Sequence, residues 1–404
     1  MKILIKKPSQ SKILWMLLLL AFLKPAYFGT IAELDILFNG VRILVVLFMA
    51  FYYVVLQKKM LKFSCVFFLF SIVPLFSTFL NSGNVFSAFT LSAVSFGSVM
   101  IMELGYEKDG FFLIDALYSI LEILVYANLV TMLMFPHGLY LYETSTGWIS
   151  DQAWIFGLRN AQTTYLILAC IVDVIYWRLT PQKRCHAIRC CCLYFAVFIT
   201  INTLKIGSGY VGYTLMTLLL IITAIQNKVQ VKFHVVVIAH IIVFFLMTSL
   251  GKLSSFAALG DMLGLIVGRT NTVSARFRIW SIAWDKILSS PIWGYGILNE
   301  KQLSWLSSIA AGATTTHNTF LDMWFRGGFL CFGLFCLVLF LINRKLLTIR
   351  DDESYLYNVC GIGFLAFFIV AQAEGAMSGA TMYILIGLLW VLPDIVRSRK
   401  WDSI

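Results

Sequence analysis

Apolar residues in this chain come in long runs separated by short polar breaks. The runs at residues 13–23, 43–56 and 235–250 approach or reach the roughly 20 residues that a helix needs to cross a bilayer. Reading each run between its flanking breaks predicts about twelve helices. Their ranges are 13–30, 34–56, 61–80, 85–102, 111–135, 161–178, 189–206, 209–226, 233–251, 317–342, 355–372 and 379–396. The alternating ten-residue segments of a membrane β-barrel do not appear. Lipid leaves each segment to satisfy its own backbone, so helices are the expected element. The fold class expected is therefore all-α: one polytopic integral membrane domain over residues 1–404, with a long external loop at 252–316.

Composition agrees with this pattern. Apolar residues make up 60% of the 404 and charged residues 13%, with a mean hydropathy of +0.86, too apolar for a water-soluble domain. Lys2, Lys6, Lys7 and Lys12 precede the first apolar run as they would in a signal peptide. No small-x-small cleavage site follows, so that run is expected to stay as the first helix. Placing the amino terminus inside puts most lysines and arginines in cytoplasmic breaks, with both termini cytoplasmic. The net charge of +11 then reflects topology and does not point to nucleic acid. The nine cysteines fall in apolar runs or in the basic break around residue 185, where no external disulfide is expected. The spacing of Cys185, His186 and Cys190 to Cys192 fits no common zinc pattern; thiols beside the membrane, open to acylation, are the other reading of that cluster.

The loop at 252–316 breaks the charge rule. It carries Lys252, Arg269, Arg276, Arg278, Lys286 and Lys301 against Asp261, Asp285 and Glu300, an excess of cations on the face where cations are disfavoured. An external anion is the simplest reward for that arrangement. Trp280, Trp284 and Ile287 recur at helical spacing, which predicts a short interfacial helix with an aromatic face at headgroup depth. Pro291 and the Gly294-Tyr295-Gly296 turn would end it. Arginines at its start suit a phosphate or diphosphate, because the guanidinium fork matches that geometry. The loop closes on Thr314-Thr-Thr-His317-Asn318, which sets His317 at a helix mouth as a base or hydrogen-bond donor. No acidic pair or histidine cluster stands in an external loop, so no metal or other cofactor is expected.

Arg276 to Trp280, Pro291 to Gly296, and His317-Asn318 with Gly327, Gly328 and Gly333 occur in an order that resembles the Wzy-type polysaccharide polymerases and O-antigen ligases of bacterial envelopes. Gly157-Leu-Arg159-Asn160 is similar to the turn that opens a helix upstream in that family. At Lys205-Ile-Gly-Ser208 the family usually carries an arginine that this chain lacks. The resemblance spans residues 157–333 and reaches the first third only in topology. It implies an inverting, metal-independent glycosyltransferase in the cytoplasmic membrane, with an undecaprenyl-diphosphate-linked oligosaccharide as donor and another as acceptor. Membrane lipid surrounds it, with a flippase and a chain-length regulator as partner proteins. By this likeness His317 and Arg276 are catalytic, and Arg278, Arg159, Asn160, Lys205, Asn318 and Arg269 bind substrate.

Plainer readings stand beside these. Arg276 and Arg278 can bind lipid headgroups without chemistry, and His317 can cap a helix. Arg42, Asp115, Glu122, Asp173, Lys205, Arg326 and Glu374 sit in or near apolar runs, where pairing is the simplest account. Asp322 and Arg326, four apart, predict a mutual salt bridge. His234 and His240 read as core or headgroup-level residues. A ligase passing on a finished glycan shares all the motifs. A flippase would also have about twelve helices, though such transporters tend to have short connections around a midplane site.

Overall fold

The computed structural model describes residues 10–56, 62–143, 147–180, 184–226, 230–250 and 270–401. Arg269, Lys252 and Asp261 lie outside the described residues, as does the segment 251–269 that opens the expected loop. The helices are α1 (Gln10–Phe22), α2 (Ala32–Phe51), α3 (Lys62–Leu80), α4 (Val85–Met134), α5 (Gln162–Leu179), α6 (Arg184–Leu204) and α7 (Gly207–Ile225). They continue with α8 (Phe233–Leu250), α9 (Thr270–Ser289), α10 (Glu300–Ile309), α11 (Thr319–Leu346), α12 (Ser354–Ala371) and α13 (Ala380–Trp401). The chain is an all-α polytopic membrane protein. Among the described residues nine helical stretches are long and apolar enough to cross a membrane. Helices α1 and α8 are shorter apolar ones, and α5 is diluted by Gln162, Thr163, Thr164 and Asp173.

Two predicted helix boundaries move for identifiable reasons. The first helix ends at Phe22, not near residue 30. Lys24 precedes Pro25, and the residue before a proline is biased away from helical backbone. The two helices expected at 85–102 and 111–135 are joined in α4, 50 residues long. A straight helix of that length would run about 75 Å, more than twice the hydrocarbon thickness. It doubles back instead. A Cβ on Gly105 would meet the Leu113 side chain at 2.6 Å, a contact that two turns of straight helix would forbid. Both ends of α4 consequently reach the same end of the bundle: Asn84 N–H donates to the Ile297 carbonyl, and Phe135 O accepts from Trp154 Nε1.

Burial does not follow hydropathy: α12 and α13 have 78% and 83% of their spans buried inside the protein, while α2, more apolar than either, has 6%. An apolar helix that finds no protein partner is one facing lipid. Ile36, Leu37, Leu44, Leu47 and Phe48 of α2 are exposed in that way.

One element was not expected. Between the helices predicted at 111–135 and 161–178, three strands pair antiparallel in the order β1 (Tyr140–Glu143), β2 (Ile149–Trp154), β3 (Gly157–Leu158). The sheet lies at the end of the bundle where α4 finishes, with Trp154 donating Nε1–H to Phe135 O and the Trp148 indole against Gly312, where a Cβ would come within 2.6 Å.

Candidate functional site

The site is built at that end. Helix α9 is longer than the short interfacial helix expected, and its apolar face is spent on protein: Ile279, Trp280, Ala283 and Ile287 are buried. Its outer side leaves Ile282 and Leu288 exposed. Trp280 donates Nε1–H to the Thr316 carbonyl at 2.9 Å. Arg276 is one helical turn earlier, so the Arg-x-x-x-Trp spacing places the guanidinium beside the residue next to Thr316, which is His317.

His317 has φ of +53°, a left-handed backbone uncommon outside glycine. The surroundings enforce it. Thr315 Oγ1 accepts from His317 N–H at 3.3 Å, and the Thr316 hydroxyl and N–H donate to Asp322 at 2.8 and 3.0 Å. Asn318 caps α11 through Leu321 N–H and donates Nδ2–H to the Gln372 carbonyl. Thr319 donates its hydroxyl to the Glu374 carbonyl and accepts from Ala376 N–H, both at 2.9 Å. Gln372 in turn is held by His240 of α8. His240 therefore has the core role expected of it.

This stitching puts a residue into the site that the motifs did not name. Glu374, in the short break between α12 and α13, accepts from Arg276 Nη2 on one carboxylate oxygen at 2.8 Å. Its other oxygen is 3.7 Å from His317 Nδ1, an ion-pair distance longer than a hydrogen bond. Burial, the largest influence, opposes ionisation of this carboxyl. Arg276 and then His317 outweigh it and hold the pKa below the ordinary glutamate value. The carboxylate is thus charged at neutral pH and orients two groups at once. The signal that would have found Glu374 is an acid in a break too short to leave it in water.

The Gly294-Tyr295-Gly296 turn has a different task. Helix α11 is kinked at Gly328, with φ 64° and ψ −167°, a conformation essentially reserved for glycine. The kink frees two helix carbonyls, and Tyr295 N–H and Gly296 N–H donate to them, on Phe325 and Arg326, at 2.8 and 2.9 Å. Phe329 N–H donates back to Pro291 O at 2.7 Å. A Cβ on Gly328 would be 2.0 Å from Ile292 O, and one on Gly296 would be 2.3 Å from the Thr78 backbone. The Pro-x-x-Gly-x-Gly element is a lock between the loop, α3 and α11.

Arg276, His317 and Glu374 line a cavity of about 910 Å³ together with Arg159, Asn160, Lys24 and Arg42. Arg42 is pinned by donating to the last carbonyls of α1, Ala21 O and Phe22 O, whose partial negative charge favours a cation there. Lys24 pairs with Asp35. Neither Lys24 nor Arg42 was expected in the site. A prediction that reads the first helix through Lys24-Pro25 hides both.

The other expected contacts divide. Arg159 and Asn160 reach the cavity, behind Gly157 with φ of +96°. Three do not. Lys205, at the α6–α7 junction, is exposed and lies off the cavity lining. Arg278 is exposed on α9, rotated away from Arg276 by the helix. Asn318 is fully buried, its amide used on Leu321 and Gln372; it positions His317 and meets nothing in the cavity. Asp322 and Arg326 form the expected salt bridge at 3.1 Å. Among the described residues, no three His, Cys, Asp or Glu side chains gather as metal ligands would.

Residues 190–338 match the family model described as O-antigen ligase. The likeness to the O-antigen ligase and polymerase superfamily therefore holds over the stretch carrying Arg276, Pro291 to Gly296 and His317. No curated protein matches the chain.

Proposed function

We propose that this chain is a glycosyltransferase of the cytoplasmic membrane that polymerises lipid-diphosphate-linked oligosaccharide repeat units on the external face. The observation that carries the reading is the Arg276–Glu374–His317 constellation on the wall of a cavity also lined by Arg42, Arg159 and the Asp35-paired Lys24. Such a cavity suits a diphosphate better than a neutral ligand. In the reaction, an acceptor hydroxyl attacks the anomeric carbon of the donor sugar from the face opposite the diphosphate. The new glycosidic C–O bond forms as the bond to the diphosphate oxygen breaks, and the electron pair leaves with the lipid diphosphate. His317 takes the hydroxyl proton on the ring nitrogen that Glu374 does not face. Arg276, with Arg42 and Arg159, offsets the charge that builds on the leaving group.

The test is a reconstituted assay with the lipid-linked repeat unit that accumulates in cells lacking the chain. A ladder of products supports polymerisation. The family model's description favours a second reading, transfer of a finished glycan to another acceptor, which would give a single transfer product. Translocation without any new glycosidic bond would overturn both. Excess chelator should leave the transfer rate unchanged, and a rate restored only by adding a divalent ion would refute metal-independent chemistry.

A further inference from the structure

A second cavity, of about 460 Å³, adjoins the first. The two share Lys24, Arg42, Val94, Thr315 and Ser378 in their linings, so they are neighbouring chambers. Gly375 belongs to the larger chamber and Asp322 to the smaller. A Cβ added to Gly375 would stand 2.8 Å from Thr315 Oγ1 and 3.4 Å from an Asp322 oxygen. Thr315, which lines both chambers, stands there between Gly375 and Asp322.

The chambers differ in charge. Lys24 and Arg42 line both; the larger adds Arg159 and Arg276 with a single carboxylate, Glu374, whereas the smaller adds Arg326 with three. In the smaller, Lys24, Arg42 and Arg326 are matched by Asp35, Glu300 and Asp322, and two of those pairs are closed, Lys24 with Asp35 and Arg326 with Asp322. The remaining lining is rich in neutral hydroxyl and amide groups, among them Asn39, Ser87, Thr90 and Thr314, with Phe86 at 72% exposure. A diphosphate gains little from a charge-balanced chamber. A sugar gains hydrogen bonds from hydroxyls, amides and carboxylates that stay fixed in place, and an aromatic ring offers its face.

We propose that the smaller chamber binds the uncharged glycan of the acceptor, so that the incoming hydroxyl enters past Thr315 toward His317 while the diphosphate donor occupies the larger chamber. This rests on the glycosyl-transfer reading and adds to it where the acceptor lies. The two substrates are sorted by charge, and the nucleophile approaches from the side opposite the leaving group.

The test fills the chamber from α4. Ser87→Trp and Thr90→Trp, in the full chain in lipid nanodiscs, are measured for binding of bare undecaprenyl diphosphate and for extension of the lipid-linked repeat unit isolated from cells lacking the chain. The expected result is extension slowed by about tenfold or more, with undecaprenyl diphosphate affinity within about twofold of the wild type. Wild-type extension by both variants, or equal loss of binding and extension, overturns the assignment and leaves the glycosyltransferase reading standing. A wild-type protein that neither binds undecaprenyl diphosphate nor forms a glycosidic product defeats that reading itself. Because tryptophan at these sites can disturb folding, a photo-crosslinking benzoylphenylalanine in place of the exposed Phe86 supplies an independent measurement. It should capture the repeat unit's glycan and not bare undecaprenyl diphosphate, while the same probe at Ile309 in the larger chamber should capture the diphosphate. The reverse pattern, or no capture of glycan at position 86, overturns the assignment.

Discussion

The ion pairs at the two ends of the bundle are built from the same residue types and are used differently. Away from the site, Arg189 gives its guanidinium to Glu122 and lays its plane 4.9 Å over the Tyr118 ring. Lys345 pairs with Asp394 and sits 3.8 Å over Trp390. Carboxylate on one side and aromatic ring on the other consume these cations, and what they do is tie helix to helix. At the site end, Arg276 and His317 share the one carboxylate of Glu374, and their remaining surface lines a cavity. The first arrangement saturates charge; the second orients charge and leaves part of its hydrogen-bonding capacity for a ligand.

The comparison breaks most visibly at His317. His317→Ala should lower turnover by about 10²- to 10⁴-fold with donor affinity little changed, the range of general acid-base catalysis; single-turnover rates and lipid-diphosphate binding measured on one preparation check it. Wild-type turnover in this variant would reduce His317 to a helix-mouth residue. Next in size, Arg276→Lys should cost about 10²- to 10³-fold, because the charge survives and the bidentate fork does not. It is a cleaner probe than Arg276→Ala, which would strand the buried Glu374 carboxylate and add a folding defect. Near-complete rescue by lysine would mean that Arg276 acts as a simple point charge.

At the saturated end the expectation inverts. Glu122→Gln should lower the melting midpoint by about 1 °C for each kcal/mol lost and leave the transfer rate per folded molecule unchanged. A loss of rate without a loss of stability would show that the two ends are not separate in function. The smallest effect is on pH. The Glu374 carboxyl is held below its ordinary value of 4.5, so the stability it contributes is present above that value and is lost as pH falls through its lower folded pKa. Melting curves of wild type and Glu374→Gln should differ at neutral pH and converge under acid; a constant gap would show that the carboxylate's charge is not what holds the loop.

The difference between the two ends also marks how far the sequence could be read. The helices were legible because each apolar run must satisfy its own backbone in lipid, and Asp322 with Arg326 because four residues on a helix make neighbours. Arg276 and His317 stood out through charge and polarity where neither is free. Glu374 did not, since its partner lies 98 residues away and no local period links a loop acid to an arginine on another helix. Lys24 and Arg42 were concealed by a helix boundary drawn past Pro25. The sheet at 140–158 is too short for its alternation to stand out from a loop, and its register depends on contacts with the bundle.

The hydrogen bonds from Asn318 and Thr319 to Gln372 and Glu374 have a bearing on biogenesis. The arginine and histidine motifs are all synthesised before the break after α12, yet their anchoring carboxylate arrives only with it. A nascent chain stopped at Ala371 would carry every recognisable motif while leaving Asn318 Nδ2 without its acceptor and Arg276 without its counter-charge. The site would thus come into being in one late step, when the α12–α13 hairpin inserts, and an unfinished chain in the membrane would be held silent by its own incompleteness.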